Sequence, residues 1–471
     1  MEFNSFAYII FLPVVFLLYW FVFKRLKIQN LFIVAASYLF YGLWDWRFLS
    51  LIALTTLSSY VSGLLIGKYR SRAKIVSAAN IILNIGILAV FKYFDFFSES
   101  LRLLFAGFGM EIDSVTLNLV LPVGISFYTF QALSYSIDVY RRNVEPTRDV
   151  VAFFAYISFF PQLVAGPIER STNLLPQFSK PRVFDYDKAV DGCRQILWGF
   201  FKKLVIADNC ALFVDVAFSA DNSSSGSSLL IAAILFSFQI YGDFSGYSDI
   251  AIGTAKLFGI QLSRNFNSPY LSSNIAGFWR RWHISLMSWF RDYLYIPMGG
   301  NRKGKFRKWL NTFVVFALSG MWHGANLTYI LWGVYHAVLY IPTVVLGKKA
   351  EAKSVFGKVA GTVMTFALVT FGFIIFRSPD VTFAADYVSA MFADIFSAPT
   401  ALGLVEHLDA FVACVCGIMV MMVFEFANRR KSHAFEIGEM KPAYRRMIYI
   451  VLLLAIIRFT GQVQTFIYFQ F

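Results

Sequence analysis

Charged side chains and cysteine are scarce in this chain. Asp, Glu, Lys and Arg make up 15% of its 471 residues, whereas an ordinary soluble domain has about 25% charged residues. The four cysteines, Cys193, Cys210, Cys414 and Cys416, form neither a disulfide framework nor a repeated CxxC metal motif. The sequence also lacks a GxGxxG after a strand, a P-loop, HExxH and GxSxG. These absences argue against zinc and redox chemistry and against the reactions that those motifs serve, and we expect no bound metal.

Hydrophobic side chains dominate instead, at 58% of the residues. Crossing about 30 Å of hydrocarbon takes roughly 20 mostly apolar residues, and unpaired backbone groups are so costly in lipid that such runs must be helices. The sequence therefore predicts an all-α, polytopic integral membrane protein, a single domain over 1–471, with roughly 11–14 transmembrane or re-entrant helices. The predicted spans are 7–23, 31–45, 48–67, 75–91, 118–137, 150–166, 229–254, 309–322, 327–346, 356–376, 403–426 and 447–468, with a less regular segment at 189–218.

The net charge of +14 resolves into short basic loops. Lys and Arg cluster at 24–27, 68–74, 141–142, 302–308, 348–353, 429–431 and 441–446, whereas 221–228 and 380–400 contain neither. Because short basic loops stay in the cytoplasm, we predict that the N-terminus, the 221–228 loop and the C-terminus lie outside. The bases are divided among loops rather than gathered in one domain, so nucleic-acid binding is not expected.

Two polar clusters interrupt apolar runs, and such groups in a membrane protein are functional candidates by default. The first surrounds Gln162 in PQLVAGPIER, where two prolines and a glycine predict a built bend. A helix end at the interface explains this cluster as well as substrate contact does. In the second, Gln239, Asp243 and Gly246 share one helix face. Functional lining and a purely structural hydrogen-bond network explain this stripe equally well.

The segment 278–293, FWRRWHISLMSWFRDY, has the period of an amphipathic helix. Arg281 and Ser285 fall on its polar stripe, while His283 and Arg291 lie between that stripe and an aromatic one. We expect the helix to lie at the cytoplasmic interface. An interfacial anchor accounts for the tryptophans and arginines but leaves His283 unexplained.

The motif SGMWHGAN joins two apolar helices and contains our strongest catalytic candidate, His323. Glycines near it allow a substrate to approach closely, and a neutral imidazole can accept a proton near pH 7. Its neighbours Trp322 and Asn326 are candidate lining residues. A satisfied buried histidine is the simpler alternative for His323, and we assign a structural role to His336 in the next apolar helix.

Four segments, PQLVAGPIER, YGDFSGYSDIAIG, FNSPYLSSNIAGFWRRWHISLMSWFRDYLYIPMGG and SGMWHGAN, resemble the membrane-bound O-acyltransferase family. The likeness is to its bacterial polysaccharide-acetylating branch, which includes the membrane subunit of alginate O-acetylation systems. It covers residues 30–340, with the catalytic motifs in 150–340 and a looser likeness beyond. The resemblance implies a helix bundle in the bacterial inner membrane that encloses a tunnel, with an acyl donor entering from the cytoplasm and the acceptor from outside.

The resemblance also implies roles for individual residues. His323 corresponds to the family's near-invariant histidine, as general base or in forming a transient acyl species. His283 corresponds to the second polar active-site position, which orients the donor or stabilises the oxyanion. The donor implied is acetyl-CoA, with no resident cofactor. Cations near the inner face that would attract its phosphates are Arg280, Arg281, Arg291, Arg302 and Lys303.

Related systems hand the acyl group to a separate extracytoplasmic esterase-like acetyltransferase that works with polysaccharide-secretion proteins, so such a partner is implied here. The outer loop 377–402 is its expected docking site. We expect a short amphipathic helix in this loop, with Phe383, Tyr387, Met391 and Phe392 on one side.

Three alternatives remain open at this point. D-alanyl transfer to teichoic acid, or acyl transfer to peptidoglycan or another cell-wall polymer, would use the same motifs. A transporter would move a metabolite without chemistry, but its signature of matched broken helices in two related halves is not seen. A pure scaffold explains the helices and leaves the buried polar clusters unexplained.

Overall fold

The computed structural model of the protein describes residues 1, 3–110, 113–219, 224–347, 354–400, 402, 406–460 and 464–467. Within these ranges the chain is helical and has no β-strand, which confirms the all-α class. Two compact units are present, residues 1–192 with 251–263 and residues 193–250 with 264–471. The expected single domain over 1–471 is not tested by this division and stays a prediction.

The first unit contains the N-terminal helices. They are α1 Phe6–Leu17, continued by a π-helical turn Leu18–Val22, then α2 Leu26–Asp45, α3 Leu49–Lys68, α4 Ala73–Gly107, α5 Ile125–Tyr140, α6 Val150–Ser158, α7 Phe160–Leu163 and α8 Leu175–Phe178. Two helices contribute residues to both units, α9 Tyr186–Phe200 and α11 Gly226–Leu257.

The second unit contains the remaining helices. They are a π-helical segment Phe201–Ala207 leading into α10 Asp208–Ala217, then α12 Ile275–Trp279, α13 Ile284–Phe290 with a π-helical extension Arg291–Tyr295, α14 Gly304–His323, α15 Leu327–Leu339, α16 Ile341–Leu346, α17 Val355–Arg377, α18 Val381–Ala393, α19 Leu408–Ala427 and α20 Pro442–Phe459. Side-chain N-caps fix where α12, α15, α17 and α18 begin, at Asn274, Asn326, Ser354 and Asp380.

Six helical stretches among the described residues are long and apolar enough to cross a membrane. They are Leu26–Lys68, which contains both α2 and α3, and Arg70–Gly107, Gly226–Leu257, Leu327–Val344, Val355–Arg377 and Leu408–Ala427. Two shorter apolar helices, Phe6–Val22 and Val381–Ala393, accompany them. The protein is therefore a multi-pass membrane protein, as the sequence predicts.

Several predicted boundaries are wrong. The predicted span 118–137 becomes helical only at Ile125, after Gly124 in the left-handed region at φ 76°. The predicted spans 403–426 and 447–468 correspond to α19 and α20, which are offset from them. Residues 221–223 of the 221–228 loop and the whole of the 348–353 loop lie outside the described residues.

The bend around Pro161 is confirmed, because α6 ends at Ser158 and the short α7 follows. A Cβ at Gly166 would lie 2.3 Å from the Gln162 Cα, so the bend needs a glycine there.

The loop 377–402 contains the expected short helix, α18. Tyr387 and Met391 are buried, and the Tyr387 hydroxyl donates to the Leu229 carbonyl oxygen at 2.7 Å. The prediction that Phe392 shares their side is wrong, since Phe392 is 59% exposed. At helical spacing it follows Met391 by one residue and so points about 100° away. Residue 401 of this loop lies outside the described residues.

Candidate active site

The hairpin of α14 and α15 carries His323 at the end of its first helix. A Cβ at Gly320 would lie 2.1 Å from the Tyr329 carbonyl oxygen, and one at Gly333 would lie 2.3 Å from the Phe316 carbonyl oxygen. These two glycines therefore let the helix backbones approach more closely than any other residue would allow. The close contact fixes the end of α14, and with it the backbone of His323.

Aromatic rings surround the His323 imidazole, which is 4% exposed. The ring centroids of Trp322, Trp332 and Phe376 lie 5.1, 5.3 and 5.2 Å from its own. These rings come from α14, α15 and α17, so three helices form the site. Because these rings are apolar, the His323 imidazole lies in a largely apolar surrounding.

His283 does not lie within a continuous amphipathic helix, and the prediction of one over 278–293 is wrong. The chain ends α12 at Trp279, turns, and begins α13 at Ile284, with His283 between them in the left-handed region at φ 44°. A non-glycine residue in this region is uncommon and is held there by its surroundings. His283 is 1% exposed, and burial lowers its pKa to about 3. Its imidazole is therefore neutral at physiological pH.

One indole brings the two histidines together. The Trp322 ring centroid lies 5.8 Å from that of His283 and 5.1 Å from that of His323. Phe244 of α11 packs on His283 from another direction, at 4.7 Å between ring centroids. The structure thus places both predicted catalytic imidazoles and Trp322 in one buried aromatic cluster.

The segment that precedes α12 anchors the backbone around His283. The Ile284 N–H donates to the Asn265 carbonyl oxygen at 2.8 Å, and the Ser285 hydroxyl donates to Asn265 Oδ1 at 2.6 Å. Ser285, predicted as a substrate contact, is thus bonded to the protein itself. Sequence reasoning missed Asn265, although it lies just before the FNSPY motif.

A cavity of about 400 Å³ lies along α13 and α14, lined by cations and aromatic rings. Its cations are Arg280, Arg291 and Lys308, and its rings include Trp279, Tyr295 and Tyr340. Arg291 is also paired with Asp292, at 2.7 Å between Nε and Oδ1. The other predicted donor contacts, Arg281, Arg302 and Lys303, are not among the described residues that line this cavity.

Comparison with known proteins decides the family of this chain. The model of the membrane-bound O-acyltransferase family matches residues 8–348. The chain belongs to the membrane-bound O-acyltransferase family. This membrane-bound O-acyltransferase is 42% identical to a probable alginate O-acetylase AlgI of Pseudomonas putida, over 83% of this chain and 80% of that protein. It is 31% identical to the peptidoglycan O-acetyltransferase of Helicobacter pylori, over 98% of this chain and 95% of that protein. It is also 31% identical to the teichoic acid D-alanyltransferase of Bacillus subtilis, over 55% of this chain and 69% of that protein.

The chain is therefore an O-acyltransferase, which argues against the transporter and scaffold alternatives. The expected resemblance and fold class are confirmed. The roles of individual residues are not tested by these comparisons and stay predictions.

Two other predicted lining residues of this O-acyltransferase form structural contacts. Gln162, in the first unit, donates from Nε2 to Gln131 Oε1 at 3.2 Å and to the Tyr156 carbonyl oxygen at 3.1 Å. Asn326 caps α15 and donates to the Pro379 carbonyl oxygen at 2.6 Å. Substrate contact by either residue stays a prediction.

The polar stripe on α11 is explained in part by ion pairing. Asp243 lies 2.6 Å from Lys203 Nζ, which also lies 2.9 Å from Asp208, and all three side chains are buried. Gly246 meets α9 so closely that a Cβ there would lie 2.8 Å from the Gly199 carbonyl oxygen. The stripe therefore packs closely against α9 at this glycine.

Gln239, on the same stripe, is half-buried. Its Oε1 atom has no hydrogen-bond partner among the residues that the structure describes. A lining role for Gln239 stays a prediction.

Proposed function

We propose that this O-acyltransferase takes an acetyl group from cytoplasmic acetyl-CoA and passes it across the membrane for O-acetylation of an exported polysaccharide such as alginate. The observation that carries the proposal is the contact of His283 and His323 with one indole, Trp322, in a buried site. Two imidazoles that contact one indole can supply both a base and a hydrogen-bond donor. The names of the relatives with about 40% identity support the acetyl group and the polymer class.

The basic cavity supports acetyl-CoA as the donor. Its volume of about 400 Å³ lies within the range of small-molecule sites. Arg280, Arg291 and Lys308 would attract the donor's phosphates, and Trp279 and Tyr295 offer ring faces for its adenine. The basic segment 302–308, which ends at the cavity-lining Lys308, supports a cytoplasmic entrance.

The chemical step follows from the properties of the two histidines. The acceptor hydroxyl oxygen attacks the thioester carbonyl carbon while His323 accepts its proton. The neutral His283 donates an N–H to the oxyanion that develops. The carbon–sulfur bond then breaks, and the thiolate of coenzyme A takes the proton from His323. General-base help is worth about 10²–10⁴-fold and one oxyanion donor about 10²–10³-fold.

The orientation completes the proposal. With the basic loops on the cytoplasmic side of the bacterial inner membrane, both termini lie on its outer side. Labelled acetyl-CoA supplied to sealed inverted vesicles should transfer its acetyl group, because the cytoplasmic face is exposed. Sealed right-side-out vesicles should transfer none until they are permeabilised. Equal transfer in both preparations would contradict a cytoplasmic donor entrance.

A second acceptor class follows from two relatives. The similarity to the peptidoglycan O-acetyltransferase of Helicobacter pylori covers 98% of this chain, and that to the teichoic acid D-alanyltransferase of Bacillus subtilis covers 55%. D-alanyl transfer needs a D-alanyl carrier protein as donor. Membranes that transfer D-alanine from such a carrier, and no acetyl group from acetyl-CoA, would favour D-alanyl transfer to teichoic acid.

An extracytoplasmic esterase-like acetyltransferase and polysaccharide-secretion proteins are the proposed partners, with 377–402 as the docking surface. Phe392 and Phe396 are 59% and 100% exposed in this segment. Replacing both by Ser leaves the buried Tyr387 contact in place, so α18 should persist. This variant should keep acetyl-CoA turnover and lose polymer acetylation, and unchanged polymer acetylation would contradict the docking role.

A further inference from the structure

Asn265 joins three segments of the second unit. It is fully buried, and its Nδ2 donates to the Ser248 hydroxyl on α11 at 3.0 Å. Its Oδ1 accepts from the Ser285 hydroxyl at 2.6 Å, and its carbonyl oxygen accepts from the Ile284 N–H at 2.8 Å. One side chain and its own backbone thus tie the start of α13 to α11.

Hydrogen bonds from the segment 265–267 lie on both sides of a strained residue. His283 has φ 44°, a conformation that costs a non-glycine residue free energy unless its surroundings impose it. Ile284 and Ser285 follow it directly, and the Asn267 N–H donates to the Arg281 carbonyl oxygen at 3.0 Å just before it. The segment 265–267 therefore lies along 281–285 and holds the chain reversal in which His283 stands.

The direction of the imidazole depends on this reversal. In an ordinary helical conformation at position 283 the side chain would leave the backbone in another direction, because the Cα–Cβ bond turns with φ and ψ. The observed direction places the ring between Phe244, at 4.7 Å, and Trp322, at 5.8 Å. A displacement of about 1 Å at a catalytic group costs on the order of 10²-fold in rate.

We propose that Asn265 is a positioning residue, which holds His283 in the left-handed conformation that directs its imidazole towards Trp322 and His323. This inference rests on the proposed function, because it gives Asn265 an effect on rate only through His283. Asn265 itself touches no reacting atom. Ser285 contributes to the same positioning, because its hydroxyl donates to Asn265 Oδ1.

The test compares Asn265→Ala with His283→Ala and with the double variant, using purified full-length protein and labelled acetyl-CoA. Asn265→Ala should lower kcat about 10–100-fold and change KM for acetyl-CoA less than twofold. Asn265→Asp, which keeps the oxygen that accepts from Ser285, should recover most of the loss. In the His283→Ala background, Asn265→Ala should change kcat less than twofold, because residues that act as one unit are not additive.

A matched control separates positioning from stability. Asn209 is another buried asparagine of this unit, and its Nδ2 donates to the Leu204 and Phe459 carbonyl oxygens at 3.0 and 3.1 Å. Asn209→Ala should lower the folded yield and leave kcat per folded molecule unchanged. If Asn265→Ala does not fold, Ser285→Ala removes the 2.6 Å bond while keeping Asn265, and takes its place in the cycle.

The outcomes separate the two claims. A further large loss in the double variant, or unchanged kcat in Asn265→Ala beside an impaired His283→Ala, would overturn the positioning role. Unchanged kcat in His283→Ala would instead overturn the proposed role of His283 in the reaction, whatever Asn265 does.

Discussion

Substituting Gly320 by Ala should misplace His323 without touching it. The added Cβ would lie 2.1 Å from the Tyr329 carbonyl oxygen, where a carbon–oxygen contact needs about 3.3 Å. The obstacle is backbone on a packed helix, so α14 and α15 must separate by about 1.2 Å. Misplacement on this scale costs on the order of 10²-fold in rate, and overpacking costs about 1–3 kcal/mol of stability.

The assay is kcat for labelled acetyl-CoA turnover per folded molecule in detergent, with thermal unfolding measured alongside. Gly86→Ala is the matched control, because it is also a glycine in a long apolar helix and a Cβ there meets nothing within 4 Å. Gly86→Ala should leave kcat unchanged and raise stability by up to about 1 kcal/mol. A folded Gly320→Ala variant with the kcat of the Gly86→Ala control would refute the reasoning that the hairpin contact positions His323.

Three further predictions follow from the same structure. Arg280→Ala with Lys308→Ala should raise KM for acetyl-CoA and leave kcat within a few-fold, as measured by initial rates, because both cations line the cavity and neither catalytic imidazole is among its lining residues. In the unfolded chain His283 binds a proton below about pH 6.5, whereas in the folded protein it binds one only below about pH 3, so at pH 5 its burial lowers the free energy of unfolding by about 2 kcal/mol. His283→Asn should therefore reduce the loss of thermal stability between pH 7.5 and 5. An equal loss in both proteins would count against a buried neutral His283. Lys203→Ala should cost about 3–5 kcal/mol, seen as a lower Tm, because it leaves the buried Asp243 and Asp208 carboxylates unpaired; a Tm within a degree of the parent would be the contrary result.

His323 could be found from the sequence because the relevant information is local. Glycines beside a histidine between two apolar runs predict a tight hairpin with an imidazole at its turn, and the structure shows this arrangement. The aromatic cluster around it could not be predicted, because Phe376 comes from α17, far away in the sequence.

His283 shows the limit of periodicity. The apolar spacing of 278–293 is that of a helix, yet one residue in the left-handed region divides the segment into α12 and α13. Periodicity records which side chains are apolar and carries no information about a single reversed φ angle. The bonds that impose the reversal come from Asn265, which no local pattern connects to His283.

The cavity was predictable only in part for the same reason. The sequence indicates many cations at the inner face, since the positive-inside rule places them there. Only the fold selects Arg280, Arg291 and Lys308 from among them, because these three come from different segments that meet at one cavity.

The most direct test of the account is acetyl transfer by His323→Ala in folded, membrane-inserted protein, compared with His407→Ala. His407 is an exposed histidine outside the site, at the start of α19. We expect His407→Ala to transfer labelled acetyl at the parent rate and His323→Ala to lose 10²-fold or more, about the least that removal of a general base costs. Acetyl transfer at the parent rate by His323→Ala would contradict the central claim.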